Sequence, residues 1–190
     1  NFGEPELAEA NLDRAQEIFD RLSARGIARA DTGLAMTEAL RSLLISHHIG
    51  PHAEGLAALR RGEEVLARVP VTERDWPWMQ ARRKLRMAAL EYADLQLDSD
   101  MIADYLGRAL GDIEQWPQDR RGGYDERFDR ASSSYYSAIV EHNAGTDPGY
   151  RAALDLYQEA DRRFAAILVD HPNDPMSLYW RAWNAYYGYA

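Results

Sequence analysis

The chain has no cysteine, so disulfides, thiolate catalysis and Cys-ligated metals are excluded, while the absence fits any compartment. Lysine is almost as scarce. Lys84 stands alone and arginine carries the remaining positive charge, a usage that fits a GC-rich bacterial coding sequence and says nothing about mechanism. No apolar run approaches the roughly 18 residues needed to cross a bilayer, and no signal-like segment opens the chain. No membrane insertion is therefore expected, and the cytoplasm is the expected compartment. Strand alternation and hairpin turns are missing too, as are a Gly-rich phosphate loop, a zinc-protease helix, an EF-hand loop and a Gly-x-Ser-x-Gly elbow. An enzyme and a cofactor are both unexpected.

What is present is enough for a sizeable core. The 190 residues are 46% hydrophobic, which fits a folded chain rather than a disordered one. The formal charge of −9 disfavours nucleic acid or an anionic membrane as the main partner. The chain opens at Asn1 rather than Met and runs out inside a helical pattern, so a piece of a longer protein is expected.

Eight helical patterns follow one another with short breaks. The first spans residues 6 to 25, with Leu12, Ala15, Ile18, Phe19 and Leu22 on one stripe and Gly26 as its stop. Asp31 and Thr32 open the second, which runs to about Ser46 before His47-His48-Ile49-Gly50-Pro51 breaks it. The third runs from about His52 to Val69, with Gly62 where a large residue is due; Trp76 or Trp78 is expected to fill the gap. Thr72 caps the fourth, which accommodates Pro77 in its first turn and reaches about Leu95. Asp98-Ser99-Asp100 caps the fifth, which ends near Gln115. The sixth occupies about Asp125 to Glu141, and the turn at Asn143 to Gly149 leads into the last two.

Those last two organise the rest. Ala160, Phe164 and Ile167 follow at steps of four and three, on one helix face. Pro172 ends the helix, Asp174 can cap the next and Pro175 can occupy its first position. Ala15, Phe19 and Leu22 repeat the same spacing, and Ala58, Gly62 and Val65 echo it.

A small residue, an aromatic four on, an apolar three on, a Pro-Asn-Asp turn and an aromatic helix with Asn184-Ala185-Tyr186-Tyr187 together resemble a tetratricopeptide repeat, most specifically from Ala153 to Tyr187. The resemblance implies an all-α fold across residues 1–190 as a single domain. It would be a right-handed α-solenoid of about eight helices in antiparallel pairs, with pair turns near Pro51, Ser99 and Gly149. Repeats of this chain are longer than the standard unit of about 34 residues.

For function, the resemblance implies a non-catalytic module or scaffold that binds a protein or peptide segment, attached as a sensory or regulatory part to a larger bacterial signalling protein. Counting from Pro172 puts Leu178, Ala182 and Ala185 inside the final helix. Counting from Asn184 puts Tyr179, Ala182 and Tyr186 inside. The second register is preferred, because it exposes Arg181 and turns Trp180, Asn184 and Tyr187 toward a binding groove. Aromatics ring most of that helix, so a groove, a following helix or another subunit must meet some of them, and a homodimer through it is expected.

Other clusters are weighed against plainer explanations. Arg82 and Arg86 could receive an acidic peptide, whereas Arg82-Arg83-Lys84 as a phosphate-binding patch conflicts with the acidic total. His47, His48 and His52 are the one candidate metal cluster and the basis of an alternative reading, a metal or small-molecule sensor with a pocket between helices. Asp125, Glu126 and Asp129 at an exposed helix start are explained by the helix dipole, and Ser132-Ser133-Ser134 has no neighbouring base. No catalytic residue is expected.

Overall fold

The computed structural model describes residues 4–49 and 51–189, with the side chains of Ala28, His48, Ile49, Gly188 and Tyr189 left aside. Eight α-helices and no strand occur among the described residues: α1 (Pro5–Ser23), α2 (Ala28–Leu44), α3 (His52–Arg68), α4 (Trp76–Leu95), α5 (Ser99–Glu114), α6 (Tyr124–Asn143), α7 (Asp147–Asp170) and α8 (Pro175–Tyr189). None of the helices so described is long and apolar enough to cross a membrane. The chain divides into two compact units, Asn1–Leu97 and Asp98–Ala190.

In the first unit α2 is central, packed against α1, α3 and α4. Cross-contacts fix the directions. Gln16 and Asp13 of α1 meet Arg41 while Ser23 donates to Asp31, so α1 and α2 are antiparallel. Arg61 pairs with Glu38 while Gly55 lies against Ser46, and the Trp78 indole N–H donates to the Leu66 carbonyl while His52 meets Gln96, which sets α3 antiparallel to both α2 and α4. In the second unit α6 is central, packed against α5, α7 and α8. Phe128 meets Phe164 at 5.5 Å and Tyr135 meets Tyr157 at 5.8 Å, so α6 and α7 are antiparallel.

Several helix ends follow their local chemistry. Asp174 accepts from the Ser177 N–H and Pro175 opens α8, where a missing donor costs nothing. Asp98 caps α5 by accepting from Met101 N. Thr146 caps α7 through Gly149 N. Gly26, at φ +73°, makes the left-handed turn that ends α1.

Others differ from expectation. Asp75 rather than Thr72 caps α4, because Pro77 takes the first turn and only a side chain immediately before Trp76 reaches the free Trp78 N–H. Thr72 lies in a short 3₁₀ turn, Val71–Glu73. Helix α2 begins at Ala28, not Asp31, whose carboxylate instead accepts from Ser23 Oγ at 2.6 Å and ties α1 to α2. Past Leu44 the helix widens into a π turn, Ile45–Ile49. The gap at Gly62 is filled by Leu85, not by a tryptophan: a Cβ there would fall 2.6 Å from Leu85 Cδ2.

Candidate functional site

Helix α8 carries the largest group of candidate residues, and its environment decides which of them reach solvent. Its buried stripe is Ser177, Trp180 and Asn184, at steps of three and four. Trp180 lies edge-on to Tyr135 at 4.8 Å and Tyr136 at 5.7 Å. Neither expected register holds. Trp180 and Asn184 face the core, while Leu178, Tyr179, Ala182, Ala185 and Tyr186 are exposed. The indole of Trp180 settles the matter, because Phe164 stacks on it and Tyr135 and Tyr136 pack against it at steep angles, a slot that the other aromatics of α8 do not share.

Tyr187 does reach the surface. It stacks on Tyr157 at 6.3 Å and on Trp183 at 5.4 Å. Trp183 in turn meets Tyr179 and Tyr186 edge-on. Exposed rings thus cover one side of α8, with Tyr186 the most open at 65%.

Beside them runs an open groove of ≈ 470 Å³ between α7 and α8, lined by Tyr157, Gln158, Asp161, Arg181, Asn184 and Ala185 among others. Arg181 spans it with a two-point pair to Asp161, Nε to Oδ1 at 2.7 Å, and this pairing raises the arginine's pKa further. Asn184 Nδ2 donates to the Trp180 carbonyl at 2.8 Å, which fixes the amide and leaves Oδ1 buried without a protein partner.

Arg82 and Arg86 lie on α4 in the first unit. Arg86 is nearly buried and pairs with Glu63 of α3, so it ties two helices together rather than waiting for an acidic ligand. Arg82 lies 5.2 Å from the Trp78 ring, and Arg74 lies 4.9 Å from the same ring. Arg83 is buried and Lys84 exposed, so the basic run is spread around the helix instead of forming a patch.

The histidines are engaged separately. His47 Nε2 and Glu91 Oε1 are 2.8 Å apart, and this hydrogen bond raises the histidine pKa against the opposing effect of burial. His52 Nδ1 and Gln96 Nε2 are 2.9 Å apart. The side chain of His48 and the whole of Gly50 lie outside the described residues, among which no three potential ligands converge as a metal site.

The acidic start of α6 is less exposed than its position suggests. Glu126 and Asp129 are buried. Glu126 accepts from Gly122 N and from Arg130 Nε, and the backbone donor, followed by the arginine, lowers its pKa. A carboxyl held ionised in this way anchors a loop and is unsuited to donating a proton. Ser132 and Ser133 are buried, and Ser134 donates to the Arg130 carbonyl.

Sequence periodicity missed the burial of Asn184 and the Arg181–Asp161 bridge. The signal available was an arginine and an aspartate on neighbouring helices, which has many equivalents in this chain. Comparison of the chain with protein-family models, curated proteins and solved structures found no match to any of them.

Proposed function

We propose that the chain is a non-catalytic protein-interaction module, a tetratricopeptide-like right-handed solenoid of antiparallel helix pairs that holds a protein or peptide segment. In this reading it is the regulatory or scaffolding part of a larger bacterial signalling protein. The observation that carries the reading is the exposed side of α8, where Tyr179, Trp183, Tyr186 and Tyr187 form a linked set of rings next to an open groove. Ring faces of this size, left partly open to water, are enriched where proteins meet proteins. Alternating antiparallel helices within each unit support the repeat architecture.

A displayed peptide library selected on the chain tests it. Selected peptides are expected to lose binding to Tyr186→Asp and Tyr187→Asp while circular dichroism stays unchanged. Peptides that bind both variants as well as the parent, or no selection at all, would overturn the reading.

A further inference from the structure

Helices α6 and α8 are related by a shift of 51 residues, and the shift shows what α8 leaves uncovered. Their first residues, Tyr124 and Pro175, differ by that amount. So do Arg130 and Arg181, each of which pairs with an acid on the preceding helix, Glu114 and Asp161 respectively. Three positions buried in α6, Glu126, Asp129 and Ser133, map onto the three buried among the described side chains of α8, Ser177, Trp180 and Asn184. The next face of α6 is Phe128, Ala131 and Tyr135, and α7 covers it. Its counterpart in α8 is Tyr179, Ala182 and Tyr186, the same aromatic–Ala–Tyr spacing, and all three are exposed.

The helix that covers this face in α6 has its own signature. Ala153, Tyr157, Ala160, Phe164 and Ile167 form a fully buried stripe along α7. Phe164 serves both neighbours at once, meeting Phe128 of α6 and Trp180 of α8. Helix α1 repeats the stripe position for position as Ala8, Leu12, Ala15, Phe19 and Leu22. It uses one side of it on α2, where Phe19 lies over Gly33 and Asp13 and Gln16 hold Arg41. None of its residues is buried. Among the described residues of its own unit, the α1 stripe thus has no α6-like neighbour, and the open face of α8 has no α7-like one in its unit.

We infer that copies of this chain associate head to tail, with α1 of one copy seated on the Tyr179–Ala182–Tyr186 face of α8 in the next. This rests on the interaction-module reading and names the partner as a second copy, joined through two different surfaces rather than one surface paired with itself.

Sedimentation of the full chain with two variants at exposed alanines, Ala182→Arg on α8 and Ala8→Arg on α1, tests the inference. The parent's mass is expected to climb with concentration beyond two chains, and each variant alone to stay at one. An equimolar mixture of the two is expected to form a two-chain complex and stop there, since each variant retains the surface the other lacks. This rescue by mixing also shows that both variants are folded. A parent that remains monomeric at every concentration overturns the inference. So does a complex that stops at two chains and ignores Ala8→Arg, the mark of a symmetric α8 pairing. If the monomeric chain still selects peptides that need Tyr186, the interaction reading survives and only the second copy is wrong.

Discussion

The indole of Trp180 lies parallel to the ring of Phe164, with 6.2 Å between centroids and 6° between planes. Phe164 is fully buried, so this contact belongs to the core of the second unit rather than to its surface. Trp180→Ala is expected to cost about 3–5 kcal/mol in urea unfolding, as truncating a buried aromatic generally does. Tyr186→Ala, on the open side of the same helix, is expected to change stability by about 0.5 kcal/mol or less.

Gly62 and Leu85 should behave as a coupled pair. An added methyl at Gly62 meets Leu85 Cδ2, with Glu38 Cβ of α2 3.3 Å away. Overpacking of about 1–3 kcal/mol then outweighs a gain in helix propensity of about 1 kcal/mol. Gly62→Ala is expected to be destabilising in the parent and neutral or stabilising in a Leu85→Ala background. A double-mutant cycle of chemical denaturation curves measures the difference.

Leu97 has φ +55°, in the left-handed region, and its side chain is 79% exposed. The side chain gains little packing while the backbone carries the steric cost that β-carbons incur there. Leu97→Gly relieves that cost at the expense of added freedom in the unfolded chain. The expected net effect is a stabilisation of about 0.5–1 kcal/mol, seen as a higher melting temperature.

The His47–Glu91 bond makes stability depend on pH in a defined direction. Its histidine has a folded pKa above the usual 6.5. Its contribution is therefore complete below the unfolded value and is lost as pH rises through the folded one. The stability gap between the parent and His47→Gln is expected to be wider at about pH 5.5 than at about pH 8.5, measured as the shift in urea midpoint. An equal gap at both values would show that the bond contributes nothing in its charged form.

Helix count, the turn positions and several helix ends were legible in the sequence, because each depends on residues within one turn of the boundary. Asp174-Pro175 and Gly26 are of this kind, whereas Asp31 and Thr72 marked no helix start. The facing of α8 was not legible. Six aromatics on one helix satisfy two hydrophobic registers equally well, and the outcome was decided by Phe164, Tyr135 and Tyr136 on other helices. Burial of Glu126 was hidden for a similar reason, since its partners Gly122 and Arg130 become visible only once the preceding loop is folded back. Leu85 rather than a tryptophan opposite Gly62 depends on the exact rotation of α4.

The central placement of α2 and α6 implies a gradient of backbone amide exchange. Amides of these two helices sit under neighbours on several sides and should exchange only when their whole unit opens. Helix α1 contributes no buried residue, and α8 is covered on one side only. Both should exchange through local opening well before the rest. The helices inferred to join one copy to the next are thus those that cost least to detach, and association should slow exchange in these two before it is felt anywhere else.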